Sequence, residues 1–243
     1  MAGIVWSLVA GMGTTVGGLL VIALGRPGRR VLGSLLGFAG GVMTGVVIVD
    51  LIPSSLASGT PTTCALGFLT GLVLMATLEY CVPPPAINLW AREAHRQTYL
   101  RMGYLIAAGI ALHNLPEGLA IGAGFASNEA LGLAVALAIG LHDVPEGMGV
   151  AAPLRLGGIS AATVLWLTSL AGLCTPLGAL IGQALFGISR AFIAAGLALA
   201  GGAMVYIVRS EVWPEASGQS KAGARIGFLA GCLAAALLPL LGA

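Results

Sequence analysis

The chain has 243 residues, of which 58% are hydrophobic and only 8% are charged. Soluble domains carry about 25% charged residues, so a water-soluble globular protein is excluded and most of the chain must be solvated by lipid. The formal net charge is +2 and the basic residues form no cluster, which argues against nucleic acid as a partner.

Apolar stretches long enough to cross a bilayer follow one another along the chain, each near the required length of about 20 residues. In chain order they cover residues 3–24, 31–56, 63–84, 102–126, 130–153, 158–185, 190–209 and 223–242. Two of the breaks are predicted from turn residues alone, at Ser127-Asn128-Glu129 and Gly187-Ile188-Ser189. We therefore expect an all-α integral membrane protein with eight transmembrane helices, forming a single membrane domain over residues 1–243.

The Lys and Arg residues predict the orientation of this bundle. Ten of the 11 lie in or beside odd-numbered loops between the spans, and Arg190 alone lies in an even-numbered loop. Cytoplasmic loops carry the excess of Lys and Arg in membrane proteins. We expect the odd-numbered loops in the cytoplasm and both termini outside the inner cell membrane.

Residues 1–85 and 158–243 resemble each other at an offset of about 161 residues. The matched positions include Gly11/Gly172, Thr14/Thr175, Gly17/Gly178, Gly40/Gly201, Gly41/Gly202, Met43/Met204, Asp50/Glu211 and Pro53/Pro214. With the predicted orientation, spans 1–3 run opposite to spans 6–8. The sequence therefore predicts an inverted repeat in a 3+2+3 arrangement, with residues 102–153 as the central pair. Transporters often use this design, with the substrate site near the bilayer midplane.

The two central spans carry the same unusual motif, HNLPEG at residues 113–118 and HDVPEG at residues 142–147. Residues four apart share a helix face, so His113 is expected beside Glu117 and His142 beside Glu146. Asn114 and Asp143 follow about 100° further round each helix and could line the same cavity.

Each motif also places a proline and a carboxylate inside an apolar span. Pro116 and Pro145 each remove one backbone hydrogen bond, so we expect both helices to be broken beside a cavity. A carboxylate in hydrocarbon costs at least about 2.5 kcal/mol, which a bound dication offsets. Imidazole and carboxylate ligands suit Zn²⁺, and also Fe²⁺, Mn²⁺, Co²⁺ or Cd²⁺. The alternative is that these polar groups only join the two helices by hydrogen bonds.

The paired motifs and the eight-span pattern resemble the ZIP (Zrt/Irt-like) divalent metal transporters, in particular the prokaryotic GufA-like branch. The resemblance implies metal uptake toward the cytoplasm, an elevator-type motion of spans 1, 4, 5 and 6, and often a homodimer. It also implies two neighbouring sites. The first comprises His113, Glu117, His142, Glu146 and Met43, and the second comprises Asn114, Glu117, Asp143 and Glu146. Relatives complete the second site with a Glu before a Pro, where this chain has Thr175 before Pro176, so one or two ions remain possible.

Asp50 and Glu211 are counterparts in the repeat and are expected at opposite ends of their spans. As hypotheses, Asp50 attracts cations at the entrance and Glu211 receives them at the exit. Alternatively, each is only a solvated residue at the end of a helix.

Two other functions compete with transport. An intramembrane metal-dependent hydrolase would need an open catalytic metal position and often uses HExxH, a motif that this chain does not contain. A metal sensor or structural membrane protein would leave the repeat unexplained. We expect the metal to be the transported substrate rather than a resident cofactor.

Overall fold

The computed structural model describes residues 2–25, 28–81, 91–127, 129–184 and 190–241, with the backbone alone at 91–95, 127, 131, 190 and 238–241. Within these ranges all regular structure is helical, in eight segments numbered here α1 to α8. They are α1 Ala2–Leu24, α2 Arg29–Ser58, α3 Pro61–Cys81, α4 Ala91–Ser127, α5 Glu129–Leu156, α6 Ala161–Ala184, α7 from Arg190–Ile207 through Trp213–Gln219, and α8 Lys221–Leu241.

Seven of these helices, α1 to α7, are long and apolar enough in their described residues to cross a membrane, and α8 adds a further 21 residues. The prediction of an all-α, multi-pass membrane protein is therefore confirmed. The predicted turn at residues 187–189 and Asn128 lie outside the described residues.

Several predicted helix boundaries were wrong. They were placed where the apolar residues stop, whereas the helices continue into the polar residues that follow. The fourth helix starts at Ala91 rather than residue 102, and the seventh runs on to Gln219 rather than ending at residue 209. The sixth is divided at Leu173 into Ala161–Gly172 and Cys174–Ala184.

The predicted breaks at Pro116 and Pro145 were also wrong. Both prolines lie inside continuous helices, α4 and α5. A proline removes a single bond from the ladder, and the bonds on either side keep the helix together when neighbouring helices pack around it.

Interruptions occur instead in α2 and α7, where single π turns form at Val47–Leu51 and Val208–Val212. A proline follows each turn, and its ring would clash with the carbonyl four residues earlier in a straight α-helix. The carbonyl concerned is that of Val49 for Pro53 and that of Ser210 for Pro214. Both carbonyls lie inside a π turn, where the wider helix relieves the clash.

Each π turn contains one acidic residue, Asp50 in α2 and Glu211 in α7. The prediction that these residues end their helices was wrong, since Ile52–Ser58 and Trp213–Gln219 continue the two helices. π turns are rare overall, and those that occur are often found at functional sites.

Helix packing places α4 and α5 at the centre. The closest neighbours are α2 with α8, α3 with α7, α1 with α5, and α4 with α6 and α5. α2 and α7 run antiparallel, since Arg29 Nη2 donates to the Gly218 carbonyl (2.8 Å) and Ser55 Oγ donates to the Ala194 carbonyl (2.7 Å) at the opposite end. α1 and α6 also run antiparallel and cross where the Gly11 and Gly172 backbones meet.

Candidate metal centre

Glycines bring the outer helices of the central group against the two motifs. A Cβ on Gly118 would collide with the Thr175 carbonyl of α6, and a Cβ on Gly147 would collide with the Thr14 carbonyl of α1. Each of these glycines directly follows the motif glutamate. The close approach therefore fixes the height at which the glutamates Glu117 and Glu146 enter the space between α4 and α5.

The two histidines and Glu117 meet in that space. Glu117 Oε1 lies 2.7 Å from His113 Nε2 and 2.6 Å from His142 Nε2, so one carboxylate oxygen contacts both imidazoles. Glu146 Oε1 lies 3.6 Å from His113 Nε2. His113, His142 and Glu146 offer ligand atoms within 4.8 Å of one another, a spacing that could hold one metal ion. The structure thus brings together four of the five residues predicted for the first site, all but Met43.

A second group of possible ligands overlaps the first. Glu117, His142 and Asp143 also place ligand atoms within 4.8 Å of one another, and Asp143 Oδ1 lies 3.9 Å from His142 Nε2. Asn114 lies on α4 and donates its Nδ2 hydrogen to the Ala171 carbonyl at 3.0 Å, which leaves its Oδ1 facing away from that bond. Since the two groups share His142, an ion could pass between them without losing all its ligands.

All six motif side chains are at least 98% buried. Within the described part of the chain, Glu117 Oε2 and both carboxylate oxygens of Asp143 and Glu146 have no hydrogen-bond partner. Asn114 Oδ1 and His113 Nδ1 also have none. Buried polar atoms are nearly always paired, and an unpaired buried carboxylate is strongly unfavourable. A dication between these groups would stabilise them electrostatically.

Met43 reaches this region from α2. Its side chain is buried, and a Cβ on Gly149 would lie 3.6 Å from Met43 Cε. Gly149 comes three residues after Glu146, so Met43 packs beside the motif of α5. Its role as a thioether ligand stays a prediction.

Two threonines next to the motifs have unusual side-chain environments. Thr44, Thr70, Thr77 and Thr168 each donate their hydroxyl to the carbonyl four residues earlier. Thr14 and Thr175 are fully buried, and among the described residues their Oγ1 atoms have no partner. Sequence reasoning singled out Thr175 and missed Thr14, although their match in the repeat was a usable signal.

A cavity of about 230 Å³ extends from Asp50 to Glu117 of this cluster. Its polar lining includes Asp50, Ser54 and Glu117, and Ser54 Oγ donates to Asp50 Oδ1 at 2.9 Å. The remaining lining is apolar and includes Leu51, Ala120, Ala134, Val135, Ala138, Ile139 and Leu197. Asp50 is therefore placed on a path toward Glu117, whereas Glu211 lies elsewhere, 3.4 Å from Arg101.

The fold and this cluster define a multi-pass membrane protein with a candidate divalent-metal site buried between two central helices. A family model described as the ZIP zinc transporter matches residues 91–239. The chain belongs to this family, whose members are transporters rather than enzymes, and the resemblance drawn from the sequence is confirmed.

Curated relatives match nearly the whole chain. Zinc transporter GufA of Myxococcus xanthus is 36% identical over 225 residues, which cover 88% of each protein. Zinc transporter ZupT of Chlorobium phaeovibrioides is 36% identical over 97% of this chain and 96% of its own length. Zinc transporter ZTP29 of Arabidopsis thaliana is 33% identical over 95% of this chain and 91% of its own. These findings support divalent metal transport and give no support to the alternative of a hydrolase.

Proposed function

We propose that the chain carries Zn²⁺ across the membrane through the site formed by His113, Glu117, His142 and Glu146. The observation that carries the proposal is that one Glu117 oxygen lies within 2.7 Å of both imidazole nitrogens in a fully buried space. Neutral imidazole with carboxylate oxygen favours zinc over the hard cations Mg²⁺ and Ca²⁺. Fe²⁺, Mn²⁺, Co²⁺ and Cd²⁺ share these ligand preferences and are proposed as further substrates.

A transported ion must exchange ligands quickly, and the overlapping groups offer a route. An ion held by His113, His142 and Glu146 reaches Asp143 while it keeps His142 and gains Glu117. Asn114 Oδ1 and the hydroxyls of Thr14 and Thr175 are further oxygen ligands on this side. Threonine is a weak neutral ligand, so we propose that a second ion, if bound, is held less tightly than the first.

We propose that the helices form two bodies that move against each other in an elevator-type cycle. α1, α4, α5 and α6 pack closely through the motif glycines and hold all four ligands, whereas α2 with α8 and α3 with α7 form separate pairs. Matched packing pairs, matched π turns and the antiparallel crossing of α1 with α6 support the inverted 3+2+3 repeat. The elevator-type cycle is tested by labelling single cysteines placed beside the metal site, with reagents added from each side of the membrane. Cysteines whose accessibility stays the same with and without zinc would contradict the cycle.

The remaining proposals concern placement in the cell. The distribution of Lys and Arg supports an orientation with both termini outside the inner membrane. In that orientation we propose uptake toward the cytoplasm, the direction that the family resemblance implies. Epitope tags at the termini that stay inaccessible in intact cells would contradict this orientation.

Only 22% of the most apolar stretch of α3 is buried within the chain, so the exposed surface of this helix is available for the proposed homodimer. Native mass spectrometry that finds monomers alone in detergent would contradict the dimer.

Uptake by the purified protein tests the proposed function directly. Proteoliposomes that contain the chain should take up radioactive zinc in a saturable manner, and the other four metals should compete. Empty liposomes provide the background. Uptake no greater than this background, with protein shown to be correctly inserted, would contradict zinc transport.

Replacing Asp50 with Asn should raise the KM for zinc uptake about three- to tenfold and leave the maximal rate nearly unchanged. The carboxylate lines the cavity that leads to Glu117, where its charge raises the local concentration of cations. Ser54→Ala is the matched control, because it removes the hydrogen bond to Asp50 and keeps the charge. Initial rates at several zinc concentrations measure both constants. An unchanged KM in Asp50→Asn would contradict the entrance role.

A further inference from the structure

An ionic cluster joins three helices at the end of the bundle that contains Glu211. Arg101 of α4 places Nη2 3.1 Å from Glu79 Oε1 of α3 and Nη1 3.4 Å from Glu211 Oε1 of α7. Its Nη2 also lies 3.4 Å from the Glu79 backbone carbonyl. Tyr206 of α7 donates its hydroxyl hydrogen to Glu79 Oε2 at 2.6 Å. The guanidinium therefore ties α4 to both α3 and α7.

The matched π turn of α2 lies beside a cavity. Asp50 and Glu211 occupy matched π turns on antiparallel helices, so they face opposite ends. Asp50 lines the cavity that reaches Glu117, whereas Glu211 is 8% exposed and bound by Arg101. The two matched turns thus differ: Asp50 lines a cavity, whereas Glu211 is buried and paired with Arg101.

We propose that Arg101 is a latch that closes the path on the Glu211 side while the Asp50 side is open. Arg101 lies on α4, the helix that also carries His113 and Glu117, and both carboxylate partners lie on α3 and α7. Any shift of α4 along these helices that carries the metal site toward Glu211 must first break both ion pairs. The inference rests on the proposed alternating-access function, and it adds the contact that holds one end shut.

The chemistry of the cluster suits a contact that must form and break repeatedly. A guanidinium presents a planar fork that can bind two carboxylates at once, which the single ammonium of lysine cannot do with the same geometry. The Arg101 side chain is 20% exposed and that of Glu79 is 27% exposed, so water can solvate the charges after they separate. When Arg101 moves away, the carboxylates of Glu79 and Glu211 lose their cation. They can then attract a metal ion that leaves the site on this side.

Cysteine accessibility tests the latch without requiring transport. Ile106 lies on α4 between Arg101 and His113 and is fully buried, so Ile106→Cys in a variant without native cysteines reports opening on the Glu211 side. Adding Arg101→Gln should raise its rate of modification by a membrane-impermeant thiosulfonate about fivefold, as expected for the loss of two partly exposed ion pairs. Arg101→Lys should give a smaller rise.

Two controls separate a latch from a general loss of structure. Arg155→Gln removes another arginine, whose described bond goes to the Ile159 carbonyl, and should leave the rate unchanged. Ala235→Cys is a fully buried reporter in α8, and it should stay unmodified in the Arg101→Gln background. An unchanged rate at Ile106→Cys, or an equal rise at Ala235→Cys, would overturn the proposal.

A second pair of substitutions tests the latch if the Arg101→Gln variant does not insert into the membrane. Glu79→Gln combined with Glu211→Gln breaks the same contacts from the other side, and it should give the same rise at Ile106→Cys; no rise would overturn the latch. Zinc uptake is measured separately in proteoliposomes. A rise in labelling without any zinc uptake by the parent protein would contradict the proposed transport and leave the latch standing.

Discussion

Zinc uptake should fall to the level of empty liposomes when His113 and His142 are both replaced by Gln. The two imidazoles are the only nitrogen ligands in the described cluster, and each has a nitrogen within 2.7 Å of Glu117 Oε1. Without them the ion meets mainly oxygen ligands, which favour hard cations over zinc. Loss of a hydrogen-bond partner behind a metal ligand already costs about 10- to 100-fold in metal affinity, so each single variant, which removes a ligand itself, should lose at least that much.

Gln is a better replacement than Ala at these positions. Removing both imidazoles leaves Glu117 as an unpaired buried carboxylate, a change that costs about 3–5 kcal/mol and could unfold the protein. Gln keeps a hydrogen-bond donor near the carboxylate, so loss of uptake can be separated from loss of structure by thermal unfolding in detergent. His95→Gln, at the third histidine, is the control and should transport normally. Uptake by the double variant at the parent rate would contradict the assignment of the site.

The parts of the fold that sequence reasoning predicted correctly depend on local patterns. Hydropathy over a window of about 20 residues is enough to locate transmembrane helices, because lipid requires the backbone to pair within each segment. The pairing of His113 with Glu117 follows from helical spacing in the same way. Both predictions required no knowledge of which helices are neighbours.

The contacts between helices were not predictable in this way. The contact of Glu117 with His142 as well as His113 depends on the register of α4 against α5, which glycine contacts with α1 and α6 determine. The structure also pairs Glu79 of α3 with Arg101 of α4 and Tyr206 of α7. These residues are far apart in sequence, so no spacing rule connects them.

The repeat shows a further limit of sequence reasoning. It matched Asp50 with Glu211, and in the structure each of these residues lies in a π turn. Two matched residues can nevertheless have different surroundings. One carboxylate lines a cavity and the other binds Arg101. The proposed alternating-access cycle accounts for this difference, because each single conformation then has two unlike ends.

Replacing Gly118 with Ala should destabilise the protein by more than about 3 kcal/mol and abolish uptake. A Cβ there would collide with the Thr175 carbonyl oxygen and carbon, which belong to the backbone of α6 and cannot rotate aside. Overpacking of a well-packed core already costs about 1–3 kcal/mol when the obstacle is a side chain. To relieve the clash, α4 and α6 must separate, and Glu117 moves away from His142 because it directly precedes Gly118.

Two other glycines make the test specific. Gly196 lies in α7 with its nearest atoms in Pro116 at 3.7 Å, and Gly218 has no atom within 4 Å of the added carbon. Ala at either position should leave uptake unchanged and stabilise the helix by up to about 1 kcal/mol. Thermal unfolding and zinc uptake measured on all three variants check this order. Normal uptake and stability in Gly118→Ala would show that α4 and α6 do not hold the site at this contact, and the proposed moving body of α1, α4, α5 and α6 would lose its main support.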